Sequence, residues 1–172
     1  MDHQVLVAYA TKHGGTAEIA EQIGQVLRGA GLHADVMPVG DVGDLTLYSA
    51  VVLGSALYMG RWRKEAVRFL EGSEETLAER KVWLFSSGPT GEGDPTELVE
   101  GRLLPEGLQP VVDSIQPEGV AIFHGVLMRD RMSFFERSII RMVKAPVGDF
   151  RDWDAIQSWA VAIAETLTEE GE

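Results

Sequence analysis

The chain has 172 residues, a length typical of one domain, and its formal net charge at pH 7 is −12. The hydrophobic fraction of 45% and the charged fraction of 24% exclude an intrinsically disordered chain. The acidic balance argues against nucleic acid as a partner, because phosphate backbones require a basic surface. Cysteine is absent, which excludes disulfides, a thiolate nucleophile and a cysteine-based metal site.

The first residues, Met1–Gln4, are polar and carry no basic segment, so we expect no signal peptide. No stretch of the sequence approaches the roughly 20 apolar residues that a membrane-spanning helix requires. The sequence therefore predicts a cytoplasmic protein.

Short apolar runs alternate with segments of helical periodicity. The first run, residues 5–10, predicts a strand that is buried on both faces. The helix that follows is expected to end near Gly29 or Gly31, because glycine adopts the left-handed conformation at helix ends. Residues 34–39 predict a second strand near a sheet edge, since Pro38 cannot donate a hydrogen bond to a neighbouring strand.

Three further strands are predicted at residues 50–55, 82–87 and 119–127. A helix is expected from about Arg63 to Glu71, and a final helix begins near Asp152, which is a good N-cap residue. The apolar stripe predicted for that final helix consists of Trp153, Ile156, Ala160, Ile163 and Leu167.

Strands that alternate with helices predict an α/β domain, in which helices cover both faces of a parallel sheet. Five such strands fit the doubly wound order 2-1-3-4-5, whose ligands bind beyond the carboxyl ends of the strands. No internal repeat or linker interrupts the pattern, so residues 1–172 are predicted to form a single domain.

The segment Thr11–Thr16, with the sequence Thr-Lys-His-Gly-Gly-Thr, joins the first strand to the first helix. The amide N–H groups and the positive dipole at a helix start can hold an anion. Glycine lets the backbone approach a phosphate closely. The alternative is a simple turn in which Thr16 caps the helix.

Other nucleotide-binding motifs are missing. The Gly-Lys-Ser/Thr of a P-loop and the Gly-x-Gly-x-x-Gly of dinucleotide folds do not occur in this position. A phosphoacceptor receiver domain would need acidic residues at the ends of strands 1 and 3. Those ends are Ala10-Thr11 and Ser55-Ala56, which excludes the receiver class.

Thr11–Thr16 resembles the flavodoxin phosphate loop. Residues 54–62 and 148–153 resemble the branch of flavodoxin-domain proteins that includes menaquinone-dependent protoporphyrinogen IX dehydrogenase, and the similarity covers most of the chain. The resemblance implies a flavodoxin-like fold and FMN as cofactor. His13 and Gly15 depart from the Thr and Asn that are most usual in simple flavodoxins.

By this resemblance, the first loop would hold the FMN phosphate and two later loops would line the isoalloxazine ring. The implied cofactor-binding residues are Thr11, Lys12, His13, Gly14, Gly15, Thr16, Ser55, Ala56, Leu57, Tyr58, Met59, Gly60, Ser86, Ser87, Gly88, Pro89, Thr90 and Gly91. Tyr58 is the candidate to lie against the ring, because aromatic stacking is favourable. The alternative for Tyr58 is an ordinary surface tyrosine.

Four arginines follow strands 3 and 5, and they predict a basic rim around the ligand cleft. These are Arg61, Arg63, Arg129 and Arg131. Such a rim would stabilise an anionic reduced flavin and hold the carboxylates of a substrate such as a porphyrinogen. The alternative is that Arg63 and Lys64 merely open a helix and face solvent.

An amphipathic insertion occupies residues 129–148, and its segment 133–144 combines apolar and basic side chains. A helix of this kind can lie on an anionic membrane or cover a partner, and a quinone acceptor would give a reason for membrane contact. The alternative is a helix that packs on its own domain or on a second copy in a homo-oligomer.

The main hypothesis is an FMN-dependent oxidoreductase that oxidises a porphyrinogen, as in heme biosynthesis, and passes electrons to a quinone. One alternative is a flavodoxin-like electron-transfer protein that serves a redox partner protein, and another is a flavin-binding regulatory protein without turnover. His124 is expected to lie inside strand 5, and the sequence identifies no catalytic acid or base. The chemistry would belong to the flavin.

Overall fold

The computed structural model describes residues 3–170. Met1, Asp2, Gly171 and Glu172, which the single-domain prediction includes, lie outside the described residues. The parallel strands of the central sheet are β1 (Gln4–Ala10), β2 (His33–Pro38), β3 (Ala50–Tyr58), β5 (Lys81–Ser87) and β6 (Gly119–Phe123). Their spatial order is β2-β1-β3-β5-β6, which confirms the predicted order 2-1-3-4-5 and puts Pro38 on an edge strand.

Three short strands complete the structure: one extends the central sheet and two form a sheet of their own. Strand β4 (Arg61–Trp62) pairs antiparallel with the end of β3. Strands β7 (Val126–Leu127) and β8 (Gly148–Asp149) pair antiparallel with each other in a separate sheet.

The helices of the described residues are α1 (Gly15–Gly29), α2 (Lys64–Gly72), α3 (Glu74–Ala78), α4 (Pro95–Leu98), α5 (Gln109–Ile115), α6 (Phe134–Val143) and α7 (Trp153–Glu170). Helix α1 ends at Gly29, and Gly31 follows with a φ of +90°, as the sequence predicts. Helix α7 begins after Asp152, whose carboxylate accepts the N–H of Ala155 at 3.1 Å.

Alternate residues of the strands face opposite sides of the sheet, and both sides are covered. Val5 and Val7 face α1 and α7 in one buried cluster, whereas Leu6 and Ala8 face the cluster of α2, α3 and α5. Helices therefore pack on both faces of a parallel sheet, which confirms the predicted architecture.

Three local predictions need correction. The fifth predicted strand ends at Phe123, because His124 and Gly125 leave the sheet and bond to the Pro89 segment instead. The third predicted strand, residues 50–55, continues to Tyr58, and a two-residue turn with positive φ at residues 59 and 60 returns the chain as β4. Trp153 is 38% exposed and lies outside the buried stripe of α7.

Candidate functional site

The loop Thr11–Thr16 connects β1 to α1 at the carboxyl edge of the sheet. Gly14 is the N-cap of α1, with a φ of 89°, and no side chain caps the helix. The hydroxyl of Thr11 accepts the N–H of Gly14 at 3.0 Å, which stabilises the turn. The N–H groups of the first helical turn have no partner within the helix, so this end of α1 is suited to hold an anion.

Thr16 does not cap the helix, which makes the simple capped-turn alternative wrong. Its side chain is 2% exposed, and its hydroxyl lies 2.8 Å from that of Ser87 at the end of β5. This hydrogen bond joins the loop to the carboxyl end of β5.

Gly15 lies where the start of α1 comes very close to strand β7, and only glycine fits there. A Cβ atom at this position would lie 2.7 Å from Cγ1 of Val126 on β7. The first helical turn therefore sits directly against the β7–β8 pair, and a larger residue would push the two apart.

A cleft opens beside this loop, between the carboxyl ends of the strands and α6. Its lining consists of Thr11, Lys12, His13, Gly15, Thr16, Ala56, Leu57, Tyr58, Ser87, Gly88, Gly125, Val126, Leu127, Met132, Glu136 and Ile140. The cleft combines polar donors at the loop with apolar walls from several strand ends. Such a combination is typical of sites for small organic ligands.

Tyr58 lies at the wall of this cleft, half-buried, and not as an isolated surface side chain. The ammonium group of Lys12 lies 3.9 Å from the centre of its ring, a cation–π contact. Lys12 therefore links the loop to the aromatic wall.

Other predicted cofactor residues lie away from the lining. Ser55 is buried, and its hydroxyl accepts the N–H of Arg63 at 3.0 Å and donates to the carbonyl of Ala56. Ser86 is also buried, and its hydroxyl accepts from the indole of Trp62 and donates to a main-chain carbonyl. These two serines hold the strand ends together.

Met59 and Gly60 form the tip of the β3–β4 turn, where the Met59 side chain is 70% exposed. The segment Pro89–Gly91 lies beyond the cleft lining, and His124 holds it in place. The ring nitrogens of His124 lie 3.0 Å from the carbonyl oxygen of Pro89 and 2.6 Å from that of Gly93. His124 is thus a buried histidine that holds this loop, and it lies just outside the strand in which the sequence predicts it.

The loop Thr11–Thr16 is joined to α6 by Glu136, which the sequence analysis did not single out. The Oε2 atom of Glu136 lies 2.7 Å from Nε2 of His13 and 3.2 Å from Nζ of Lys12. Burial alone would raise the pKa of the Glu136 carboxyl, but hydrogen bonds from His13, Lys12 and Ser133 outweigh it and lower the pKa to about 2. Glu136 is therefore ionised at neutral pH.

Ser133 and Glu136 form a capping box at the start of α6. Their spacing in the sequence could have indicated this cap. The contact of Glu136 with His13 joins residues 123 positions apart, and no local pattern signals it.

Arg151, also missed by the sequence analysis, anchors the β7–β8 pair to the start of α1. Its side chain is only 6% exposed, pairs with Asp149 and Glu18, and donates to the carbonyl of Gly15 at 3.3 Å. The ion pair lowers the pKa of Asp149 and raises that of Arg151, since each charge stabilises the other.

The four predicted rim arginines differ in their surroundings. Arg63 pairs with Glu65 at 3.2 Å, and Arg131 pairs at 3.2 Å with Glu18, which Arg151 also contacts. Arg61 and Arg129 are exposed, and neither forms an ion pair within residues 3–170. None of the four arginines lines the cleft, and the basic rim around it stays a prediction.

The family described as Flavodoxin domain matches residues 6–154 of the sequence. The chain belongs to the flavodoxin-domain family. Homologues in this family bind FMN, the cofactor that the sequence predicts. No curated protein matches the chain.

Solved structures share the fold at low sequence identity. A flavodoxin from the domain Archaea is 16% identical with a TM-score of 0.61, and the alignment covers 96% of this chain and 99% of that one. Flavodoxin 2 of Bacillus cereus is 23% identical with a TM-score of 0.58, over 95% of this chain and 99% of that one. Rubredoxin:oxygen oxidoreductase of Desulfovibrio gigas is 14% identical with a TM-score of 0.63, over 96% of this chain and 36% of that one.

These matches support a flavodoxin-like redox domain and not the narrower protoporphyrinogen dehydrogenase branch. No helix within residues 3–170 is both long enough and apolar enough to cross a membrane. In the same residues, no group of three or more His, Asp or Glu side chains is placed to hold a metal ion.

Proposed function

We propose that this flavodoxin domain binds FMN in the cleft beside α1 and transfers electrons to and from a redox partner protein. One observation supports the proposal most strongly: α1 starts at Gly14 without a side-chain cap, directly beside a cleft with apolar walls. The amides of that turn supply neutral donors for a phosphate, so an acidic chain can hold a dianion there. FMN supplies reversible one- and two-electron chemistry when bound.

The protein residues would bind and orient the cofactor. The loop Thr11–Thr16 would hold the phosphate, and Tyr58 would lie against one side of the ring, with Ser87 and Gly88 on another wall. The buried hydrogen bonds of Ser55, Ser86 and Thr16 would keep these walls fixed. Such a preformed site reduces the ordering that binding requires.

An FMN titration of the apoprotein tests this proposal. Flavin fluorescence should be quenched as one FMN binds per chain, and the bound flavin should be reduced and reoxidised reversibly under anaerobic conditions. A redox-inert bound flavin would contradict the electron-transfer role, and no binding would contradict the cofactor.

A second candidate function is the oxidation of a porphyrinogen with electrons passed to a quinone. The observation that favours it is the exposure of Arg61 and Arg129 without ion pairs among the described residues, since such arginines can bind propionate groups. An anaerobic assay with porphyrinogen and a menaquinone analogue tests this function. Replacement of both arginines by alanine should raise KM for the porphyrinogen while FMN stays bound, and unchanged KM and turnover would contradict the substrate role.

We also propose that α6 touches an anionic membrane surface. None of its residues is buried, and Phe134, Phe135 and Met142 are 85%, 73% and 79% exposed. At 100° per residue these three share one side of the helix. Arg137 and Arg141 are exposed on the flank beside it. This pairing of apolar and basic faces is typical of helices that lie in a lipid interface, and the positive flank on an otherwise acidic chain suits anionic lipid.

Co-sedimentation with phosphatidylserine-containing vesicles tests the membrane contact. The wild type should bind these vesicles more strongly than neutral ones, and a Phe134→Ser, Phe135→Ser double variant should bind less. Leu98→Ser, on the exposed side of α4, is the matched control and should bind like the wild type. Equal binding to neutral and anionic vesicles, or no binding, would contradict the contact.

A further inference from the structure

Glu136 is the only acidic residue among the described residues that line the cleft. Both of its carboxylate oxygens are engaged: Oε2 contacts His13 and Lys12, and Oε1 accepts a hydrogen bond from Ser133 at 3.1 Å. Its side chain is 15% exposed, so these contacts are only weakly screened by water.

The two loop residues that Glu136 contacts are also the ionisable side chains of the predicted phosphate loop. Lys12 and His13 directly precede Gly14, the cap of the helix whose amides face outward. An anion bound at this helix start would therefore compete with the Glu136 carboxylate for the same two hydrogen-bond donors, Lys12 and His13. Like charges that share a site repel each other, and the repulsion is strong where water is partly excluded.

We propose that Glu136 is an internal competitor for the phosphate loop: its carboxylate holds Lys12 and His13 and so lowers the affinity of the loop for a ligand phosphate. The inference rests on the proposed binding of FMN and identifies the residue that limits its strength. Because Glu136 belongs to α6, the same carboxylate couples the position of α6 to the occupancy of the loop.

Glu136→Gln is the direct test, because it removes the charge and keeps the shape and one acceptor oxygen. The dissociation constants of FMN and of riboflavin, which lacks the phosphate, are measured by flavin fluorescence at low and high salt. We expect E136Q to bind FMN about tenfold more tightly than the wild type, with a steeper loss of affinity in salt. Riboflavin binding should not change, which also shows that the cleft is folded.

Glu97→Gln is the matched control. Glu97 is exposed on α4, outside the cleft lining, and its replacement changes the net charge by the same amount. E97Q should bind FMN like the wild type. Equal tightening in E97Q and E136Q would show that net charge and not a local competitor is responsible, and would overturn the inference.

Glu136→Ala is a second test of FMN affinity. It removes the carboxylate without introducing the amide group of glutamine, which could itself contact the loop. It should also bind FMN more tightly than the wild type. Weaker or unchanged FMN binding in both variants, with wild-type FMN binding intact, would overturn the competitor role. A wild type that takes up no FMN is a different outcome, since it overturns the proposed function itself and this inference with it.

Discussion

Arg151 and Asp149 form a two-point ion pair, with Nη2 2.7 Å from Oδ2 and Nε 2.9 Å from Oδ1. The pair lies at the β7–β8 strands and joins them to α1, because Arg151 also contacts Gly15 and Glu18. A surface arginine could not do this, since water would compete for each contact. Arg151 therefore joins the segment 148–153 to the loop Thr11–Thr16 and the start of α1, although this segment does not line the cleft.

Replacement of Arg151 by alanine should lower the free energy of unfolding by about 2 kcal/mol, since hydrogen bonds to charged groups contribute roughly 1.5–3 kcal/mol. Urea unfolding measures this loss. Arg102→Ala is the control, because the Arg102 side chain is 63% exposed and its pair with Glu100 should contribute less than about 1 kcal/mol. Equal losses in the two variants would contradict the anchoring role of Arg151.

Gly15→Ala should weaken FMN binding, because the added Cβ would displace Val126 and the β7 strand from the helix start. The expected loss is about tenfold or more, in line with the roughly 1–3 kcal/mol of strain that overpacking causes. Isothermal titration with FMN measures it. Adding Val126→Ala should restore part of the affinity by making room, whereas Val126→Ala alone should have little effect. A double variant no better than Gly15→Ala would show that the clash with Val126 is not the cause.

Thr16→Val removes the buried hydroxyl that meets Ser87. It should lower the free energy of unfolding by about 1–3 kcal/mol, because the Ser87 hydroxyl loses this partner. Thr16→Val combined with Ser87→Ala should be less destabilised than the sum of the single variants, as measured by thermal or urea unfolding. Strictly additive losses would mean that the two hydroxyls do not depend on each other.

The topology was predictable because four of the five parallel strands contain an unbroken apolar run, which is typical of strands buried on both faces. The turn at Thr11–Thr16 was predictable, because paired glycines between an apolar run and an amphipathic segment mark a strand–helix junction, whereas the binding of a phosphate there stays a prediction. The hairpin at residues 59–60 was not, because Met59 adopts a positive φ that no local preference suggests.

The residues that hold the loop Thr11–Thr16 in place also could not be predicted from the sequence. Glu136 contacts the loop Thr11–Thr16 from α6, and Arg151 contacts it from the segment after β8. Ser55 ends the predicted third strand and Ser86 lies near the end of β5, positions that predict ligand contact, yet both side chains are buried. The direction of a side chain at a strand end depends on tertiary packing and cannot be deduced from the order of residues.

Acid should lower the free energy of unfolding, because it protonates the Glu136 carboxylate. The pKa of its carboxyl in the folded chain is about 2, below its ordinary value of 4.5, so its ionised form stabilises the folded state. This contribution is complete above about pH 4.5 and is lost as the pH falls toward 2. The difference in unfolding free energy between the wild type and E136Q should therefore shrink over that interval in urea titrations. A difference that stays constant down to pH 2 would contradict the ionised contacts with His13 and Lys12.

The central claim is that amides and side chains at the start of α1 hold the phosphate of FMN. The most direct measurement is a comparison of FMN and riboflavin binding to the wild-type apoprotein by fluorescence quenching at one temperature and salt concentration. We predict that FMN binds to one site and that riboflavin binds about 100-fold more weakly, a difference of about 2.7 kcal/mol. Equal affinity for the two flavins, or no uptake of either, would contradict the claim.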